Sequence, residues 1–378
     1  MTSLNIRADF DSGNIDVLDS SDHQDVRLAI RPDTRSPHFQ WFYFKAEGLT
    51  PGAEHTFHLS NAGQSSYSHA WHGYNAVASY DQQDWFRVPS RFDGQTLSFT
   101  LTAEQPQAWF AYFEPYSRER HAGLVDLAEG PARLERLATG HSVEGREIPL
   151  WRKGDGAPGK RRIWIIAQQH PGEHMAEWFM EGIIEQLRTP SSELQGLLAA
   201  ADLYLVPNMN PDGATRGHLR TNANGKDLNR AWRDTREEDT PEVWFVRQAM
   251  ERYGVDMFLD VHGDEEIPYV FTAACEGNPG YTEQQKNLEA DFRERLSDLT
   301  RDFQTRYGYP RGAPGKANMT LACNSVGERF KCLALTLEMP FKDNDDAPDA
   351  RTGWSGKRSK ALARDVLTTL ARMVHTLR

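Results

Sequence analysis

A histidine and a glutamate three positions apart, His170 and Glu173, are the first residues of this sequence whose types and spacing could do chemistry. Imidazole nitrogen and carboxylate oxygen are ligands of catalytic zinc, which takes three protein ligands and keeps one position open. Pro171 and Gly172 stand between them and disfavour a helix. We therefore expect both ligands in a turn after a strand, with a helix behind them. His174 would complete an H-x-x-E-H pattern, but that pattern belongs to a helix, so His174 is not counted as a ligand.

Two other predicted strands carry residues that would complete such a site. The apolar run 257–261 is followed by His262 and Gly263, which offers a third ligand at another strand end. The apolar run 333–339 contains Glu338, whose burial without a partner would be unfavourable, and which is predicted to act as a general base. Taken alone, His262 could be a loop histidine and Glu338 could lie at an exposed strand end. Their presence beside the first pair favours a metal site.

A polar, turn-rich loop between these strands contains two arginines and an asparagine, Arg220, Asn229 and Arg230. Such residues are most often plain surface. Beside a metal site they would suit an anionic substrate, because arginine binds a carboxylate through two parallel hydrogen bonds. A second arginine can stabilise an oxyanion as charge develops on it.

The elements that must position these residues change character along the chain. Short β-prone runs separated by turn clusters, between about 24 and 116, predict an antiparallel β-sandwich. Beyond them, strands alternate with helices, which predicts an α/β unit with a mixed, mostly parallel sheet covered by helices on both faces. The β-prone runs are 40–44, 56–59, 96–101 and 108–113. The later strands are expected at 163–168, 203–207, 257–261 and 332–338, and the helices at 175–188, 241–253, 282–304 and 357–377.

Length and composition narrow the class of protein. A chain of 378 residues favours two domains, which we divide in the polar segment 114–120 into an N-terminal β-sandwich domain, 1–120, and a catalytic domain, 121–378. The net charge of -11 argues against nucleic acid or an anionic membrane as partner. No apolar run has membrane-spanning length, and 1–19 lacks the features of a signal peptide. Three cysteines are expected to be buried, reduced thiols, which is typical of a cytoplasmic protein.

Taken in order, these motifs resemble the zinc carboxypeptidases of the M14 family. They are His-Pro-Gly-Glu at 170–173, Asn-Pro-Asp-Gly at 210–213, Arg220 followed by Asn229-Arg230, Asp-x-His-Gly at 260–263, and the strand-borne Glu338. The segment 138–146 and the aromatic runs 41–44 and 110–116 are similar to the cytosolic carboxypeptidase branch of that family.

The resemblance implies a carboxypeptidase-like fold and a role for each residue. One Zn²⁺ per chain would be held by His170, Glu173 and His262, with Asp227 orienting His170. Glu338 would be the base and Arg220 would polarise the scissile carbonyl, while Asn229 and Arg230 would hold the terminal carboxylate. The implied activity is removal of single amino acids from the C-termini of peptides or proteins.

The identity of the released residue is a separate question. Eukaryotic cytosolic members of the family act on glutamate tails, so a preference for acidic residues would need a basic pocket before the base. The candidates are Arg311, Lys316, Arg329 and Lys331, and Tyr307 and Tyr309 are candidates for the flap tyrosine of the digestive members. Two other functions fit the same residues: an amidase or deacylase of small N-acyl amino acids, and a non-catalytic peptide-binding protein with a vestigial site. The oligomeric state does not follow from the residues.

Overall fold

The N-terminal part of the chain forms two facing β-sheets in the computed structural model, which describes residues 4–377. The strands are β1 (Asn5–Arg7), β2 (Asp16–Asp19), β3 (Val26–Ala29), β4 (Tyr43–Glu47), β5 (Glu54–Leu59), β6 (Ala76–Ser79), β7 (Trp85–Val88), β8 (Ser90–Phe92), β9 (Leu97–Thr102) and β10 (Gln107–Ala111). One sheet has the order β1-β4-β10-β6-β7 and the other β2-β3-β5-β9-β8. All pairs are antiparallel except β3 with β5.

Aromatic side chains fill the space between these two sheets. Phe57 of one sheet lies with its ring centroid 4.7 Å from that of Phe110 of the other, and Phe44 and Phe99 pack against the same pair. Inward-facing apolar residues on both sheets are the mark of a β-sandwich, so the predicted all-β unit is confirmed. We call residues 5–111 the N-terminal sandwich.

Three of the four predicted β-prone runs coincide with β5, β9 and β10. The fourth, 40–44, becomes a strand only from Tyr43. Gln40 lies outside β4 because its buried side-chain amide bonds the Tyr67 backbone and the Tyr112 hydroxyl instead. The other strands of the sandwich were not predicted, since they are short and several are exposed.

The rest of the chain builds a seven-stranded mixed sheet with helices on both faces. Its strands are β11 (Glu135–His141), β12 (Glu147–Lys153), β13 (Arg161–Ala167), β14 (Ala201–Val206), β15 (Met257–Asp264), β16 (Phe271–Ala274) and β17 (Leu333–Pro340), in the order β11-β12-β14-β13-β15-β17-β16. The helices are α1 (Arg118–Glu129), α2 (Met175–Arg188), α3 (Ser192–Ala200), α4 (Pro211–Arg216), α5 (Pro241–Tyr253), α6 (Glu283–Leu299), α7 (Ala322–Phe330) and α8 (Gly356–Met373). The four central strands are parallel, and β11, β12 and β16 run antiparallel to their neighbours.

Successive residues of β13 enter different cores. Ile163 and Ile165 pack with α2 and α8 on one face, whereas Trp164 and Ile166 pack with α5 and α7 on the other. Burial on both faces explains why the strand is a continuous apolar run. The strand ends at Ala167, and the turn that carries His170 and Glu173 begins there.

The predicted helices 175–188 and 241–253 coincide with α2 and α5. The helix predicted at 282–304 ends earlier, at Leu299, because Thr300 has an extended backbone. The helix predicted at 357–377 likewise ends at Met373. A division into two domains after residue 120 stays a prediction, and that point falls within α1.

Two further expectations concern the whole chain. Cys275, Cys323 and Cys332 are buried and free, as predicted. Within residues 4–377, no helix combines the length and the apolar character needed to cross a membrane.

Candidate metal and catalytic site

The first two candidate ligands lie in a tight turn between β13 and α2. The strand ends at Ala167, and Gln168 takes a left-handed conformation with a φ of +56° that turns the chain away from the sheet. Gly172 then passes so close to the next loop that a Cβ there would lie 2.9 Å from the Leu219 carbonyl oxygen. The chain therefore forms the predicted turn, followed by helix α2. Close packing against the backbone of Leu219 fixes the shape of this turn.

His170, Glu173 and His262 meet at the carboxyl ends of β13 and β15. One ligand atom from each lies within 4.8 Å of the others, and all three side chains are buried. Nδ1 of His170 is 2.7 Å from one oxygen of Glu173, and Nδ1 of His262 is 2.8 Å from the other. Both imidazoles thus direct the same ring nitrogen to a common centre. His174 is not part of this group: it stacks on Trp41 and accepts a hydrogen bond from the Tyr116 amide.

Each of the two imidazoles has a carboxylate behind it. Nε2 of His170 lies 3.1 Å from Asp227, and Nε2 of His262 lies 2.9 Å from Asp260. Carboxylates in this position fix the orientation and tautomer of metal-binding imidazoles. Asp260 was not predicted in this role. Its signal in the sequence is the two-residue spacing from His262, which places both side chains on one face of β15.

The charges in this cluster offset one another. Burial would raise the pKa of Glu173, but the charges of His170 and His262 and the hydrogen bonds from both rings bring it down to about 2. Burial likewise would raise the pKa of Asp227, and His170 and Arg220 hold it well below its usual range. The carboxylates are therefore ionised, and the donor set of two imidazoles and one carboxylate suits a divalent cation such as zinc.

Glu338 lies beside the three ligands in β17. It is paired in register with His262 of the neighbouring parallel strand. Oε1 accepts a hydrogen bond of 3.2 Å from the Tyr309 hydroxyl, while Oε2 is buried and has no hydrogen-bond partner among the described residues. Burial raises the pKa of the Glu338 carboxyl, although the positive charge of His262 lowers it. A buried oxygen left open in this way can take up a proton.

Tyr309 is the one of the two candidate tyrosines that touches this carboxylate. Its hydroxyl lies between Glu338 and Asp264, at 2.6 Å from the latter. Tyr307 instead stacks on Tyr269 and is half exposed.

Arg220 is held from two sides. Its Nε donates to Asp227 at 2.7 Å, and its Nη1 donates to the hydroxyl of Tyr67, a residue of the N-terminal sandwich. Asp227 also contacts His170, so a single carboxylate links the arginine to a candidate metal ligand. Tyr67 was not predicted, because nothing in the local sequence relates it to residues so far along the chain.

Asn229 and Arg230 lie in a short 3₁₀ helix directly after Asp227. Asn229 is buried, and its side-chain oxygen Oδ1 accepts a hydrogen bond of 2.8 Å from the Ala322 amide, at the start of α7. Arg230 is exposed and donates to the Asn229 backbone. The loop thus presents an amide and a guanidinium beside Asp227.

Two of the four candidate pocket bases are far from this site. Arg329 pairs with Glu251 and Lys331 with Glu328, and both precede β17, whose first residue pairs with the start of β15. The start of α7 contacts Asn229 at the site, whereas its end leads into the first residue of β17. Arg329 and Lys331 therefore lie near the opposite, amino-terminal ends of the parallel strands. Lys316 is exposed in a loop.

Of the four candidates, Arg311 lines a cavity that is also lined by Tyr309, the tyrosine in contact with Glu338. The cavity has a volume of about 270 Å³ and is bounded by β16, α6 and the loop that carries Tyr309.

The site therefore combines a triad that could hold a metal ion, a buried carboxylate with an open oxygen, and two guanidinium groups. Such a set can add water to a carbonyl, stabilise the resulting oxyanion and hold a carboxylate nearby.

Comparisons with known proteins agree with this chemistry. The family model described as the cytosolic carboxypeptidase N-terminal domain matches residues 6–113, and the one described as zinc carboxypeptidase matches residues 122–347. A metallo-carboxypeptidase from Pseudomonas aeruginosa, solved with (2-guanidinoethylmercapto)succinic acid, is 63% identical, with 99% of this chain and 100% of that chain covered and a TM-score of 0.97. A metallo-carboxypeptidase from Burkholderia cenocepacia is 44% identical, with 99% and 100% covered and a TM-score of 0.95. Cytosolic carboxypeptidase 6 of Caenorhabditis elegans is 26% identical over 90% of this chain and 79% of its own length.

Proposed function

Because this chain belongs to the M14 family of zinc carboxypeptidases, in its cytosolic carboxypeptidase branch, we propose that it removes single amino acids from the C-termini of peptides or proteins. The observation that carries the proposal is the meeting, at one sheet edge, of the His170, Glu173 and His262 triad with the open oxygen of Glu338. A peptidase of this kind also needs a carboxylate-binding group, for which Arg230 is available.

His170, Glu173 and His262 would hold one Zn²⁺ per chain, with Nδ1 of each imidazole as donor. The chemistry of the donor set supports zinc, since both Nε2 atoms face carboxylates and both Nδ1 atoms face the centre. When bound, zinc polarises the substrate carbonyl and makes a water molecule more acidic.

Glu338 takes the proton from the attacking water through its open Oε2 and passes it to the leaving amine. Tyr309 donates to Oε1, which turns the other oxygen toward the site. Arg220 stabilises the negative charge that develops on the carbonyl oxygen. Its Nη2 group is available for this, since within residues 4–377 the side chain donates hydrogen bonds through Nε and Nη1.

Asn229 and Arg230 bind the terminal carboxylate of the substrate. Arginine forms a fork that matches a carboxylate, and the Asn229 amide nitrogen lies on the side not used by Ala322. This contact restricts cleavage to chain ends, because an internal peptide bond has no carboxylate at that distance.

A preference for acidic C-terminal residues is supported by Arg311, which lines the cavity beside Tyr309 together with Arg293 and Arg306. The ligand of the Pseudomonas aeruginosa relative, by contrast, carries a guanidino group. The same cavity is also lined by Glu276, which would favour a basic side chain. The substrate test therefore has to include both classes of side chain. We further propose that the enzyme works in the cytoplasm, where its three free cysteines would stay reduced.

The proposal is tested by hydrolysis of peptides that differ only in their C-terminal residue, including Glu, Lys, Arg, Phe and Ala. Each peptide is used with a free and with an amidated C-terminus, and bound zinc is measured. We expect release of single residues from free C-termini only, and a fall in kcat of at least about a thousandfold in Glu338→Gln, with zinc still bound.

Zinc binding without cleavage of any peptide would contradict a peptidase and favour a deacylase of small N-acyl amino acids. Absence of zinc binding would contradict both. Glu294→Gln, on the exposed face of α6, is the matched control for the Glu338 variant.

A further inference from the structure

We propose that the N-terminal sandwich is part of the catalytic centre, and that its residues Asp33 and Tyr67 are positioning residues for Arg220. This inference rests on the proposed function for its catalytic readout. It goes beyond that function because it assigns a task in the reaction to residues outside the zinc carboxypeptidase match, which begins at residue 122.

Asp33 holds the backbone of the segment that carries the arginine. One carboxylate oxygen accepts the Leu219 amide at 2.6 Å. The other accepts the amides of Arg220 and Thr221 at 2.9 and 2.8 Å, and the Thr221 hydroxyl at 3.0 Å. Three successive amides thus point at one buried carboxylate, whose residue is only 3% exposed. Charge-assisted bonds of this kind are about twice as strong as neutral ones.

The sandwich fixes Asp33 in turn. The Asp33 amide donates to the His38 carbonyl at 2.8 Å, which closes a turn. The next residue, Thr34, donates its amide to Nε2 of His218 at 3.0 Å. Arg35 approaches Gly225 so closely that a Cβ on this glycine would lie 2.4 Å from the Arg35 carbonyl oxygen, and its φ is +75°. The segment 33–35 therefore lies along residues 218–225, which we call the Arg220 loop.

Tyr67 holds the guanidinium itself. Its hydroxyl oxygen accepts from Nη1 of Arg220, and the guanidinium carbon lies 5.8 Å from the centroid of the tyrosine ring. Asp227 accepts from Nε on the opposite side. With two donors engaged in different directions, the planar guanidinium has one orientation, and Nη2 has no hydrogen-bond partner among residues 4–377. Burial raises the pKa of Tyr67, so its hydroxyl stays protonated and neutral.

The chemical consequence concerns the transition state. A donor stabilises an oxyanion in proportion to how well it is aimed before the charge develops. Loss of the Tyr67 contact should therefore lower kcat and leave KM nearly unchanged, because ground-state binding of the terminal carboxylate depends on Asn229 and Arg230.

The first experiment is a double-mutant cycle with Tyr67→Phe and Arg220→Lys on the zinc-loaded enzyme. We expect Tyr67→Phe to lower kcat about tenfold, with unchanged KM, zinc content and melting temperature. In the Arg220→Lys background the same change should have little further effect, because lysine lacks the guanidinium that Tyr67 orients. Tyr80→Phe is the matched control, since the Tyr80 hydroxyl bonds Glu104 elsewhere in the sandwich. Equal effects of Tyr67→Phe in both backgrounds, or a rise in KM alone, would overturn the role of Tyr67.

The second experiment does not depend on activity. In Asp33→Asn, an amide NH2 group replaces one carboxylate oxygen. This group is a donor and cannot accept from the backbone N–H groups that it faces. Amide hydrogen exchange at 219–221 should then accelerate about tenfold or more, while exchange in β13 and β15 stays unchanged.

The control for this experiment is Asp93→Asn, whose carboxylate accepts two backbone amides in a surface turn. Unchanged exchange at 219–221 in Asp33→Asn overturns the proposal. If the wild-type enzyme cleaves no peptide, the proposed function fails, and the exchange result still decides whether Asp33 holds the Arg220 loop.

Discussion

At the scale of single residues, the buried carboxylates of this chain have two kinds of surroundings. Glu173 and Asp227 face cations and stay ionised. Glu242, in the first turn of α5, is fully buried, with the Asn222 amide at 3.2 Å, backbone hydrogen bonds from Val143 and from its own amide, and Asp212 as a like charge nearby. Desolvation raises the pKa of Glu242 from 4.5 to about 7. Its ionisation must therefore oppose folding.

This predicts how stability depends on pH. The folded pKa of Glu242 lies above the unfolded value, so the folded state keeps its proton between about pH 4.5 and 7 while the unfolded state loses it. The free energy of unfolding should fall as pH rises through this window, by about 3 kcal/mol in all. Glu242→Gln removes this loss and should be more stable than wild type at pH 8, but not at pH 4.5.

Urea denaturation at both pH values, with zinc saturating, measures the effect. Glu237→Gln, at an exposed position, is the control. An equal difference between Glu242→Gln and wild type at pH 4.5 and pH 8 would contradict the prediction.

The residues of the candidate site differ in how visible they are in the sequence. Four site residues were predicted because each follows or interrupts an apolar run: His170, Glu173, His262 and Glu338. A polar group buried in such a place is unfavourable unless it has a partner or binds a ligand. Tyr67 could not be predicted, since its contact with Arg220 joins positions 153 apart in the chain, and no local pattern records such a contact. Arg329 and Lys331 were wrong candidates for the pocket because proximity in sequence to Glu338 hid the length of α7, which carries them to the other edge.

At the scale of elements, the central strands were predictable and the edges were not. β13, β14, β15 and β17 are buried on both faces and are therefore mostly apolar in sequence. Edge strand β11 is mostly half exposed, with a burial pattern that follows no simple alternation, and β16 has only four residues. The boundaries of α2 and α5 were predictable because Pro171 with Gly172, and Pro241, limit where a helix can begin.

The ligand turn makes a prediction at this scale. A Cβ at Gly172 would lie 2.9 Å from the carbonyl oxygen and 3.2 Å from the Cα of Leu219, both backbone atoms that cannot rotate away. Gly172→Ala should shift the turn that carries His170 and Glu173, and zinc affinity should fall at least about tenfold. Competition with a chelator measures the affinity.

The matched control is Gly196→Ala in α3, where an added Cβ meets no atom within 4 Å. This change should leave zinc affinity unchanged and stabilise the protein by about 0.5–1 kcal/mol, since alanine favours a helix over glycine. Equal zinc affinities for the two variants would show that the turn tolerates a side chain.

At the scale of the whole molecule, one arginine joins the N-terminal sandwich to the segment after β17. The partly buried guanidinium of Arg87, on β7, donates to the backbone carbonyls of Phe341, Thr352 and Trp354 at 2.8, 3.0 and 3.1 Å. The segment 341–354 directly follows the strand of Glu338. Unfolding of the N-terminal sandwich and unfolding of the seven-stranded sheet should therefore be coupled.

Arg87→Met tests this coupling. Methionine can fill part of the space but cannot donate, so several carbonyls lose their partner, and the free energy of unfolding should fall by at least about 2 kcal/mol. Arg91→Met, at an exposed position of β8, should change it by less than about 0.5 kcal/mol. Denaturation followed by tryptophan fluorescence measures both. A similar small effect of the two substitutions would mean that the two units are held together elsewhere.

The position of Asp33 and Tyr67 also has a consequence during synthesis of the chain. A ribosome makes these residues first, Arg220 much later, and Glu338 later still, so the centre draws on residues that are far apart in the polypeptide. The sandwich can fold first and wait, because N-terminal units fold while the remainder is still being made. An unfinished chain then has no complete centre. The site is completed only after β17, which carries Glu338, has been made and has paired with β15.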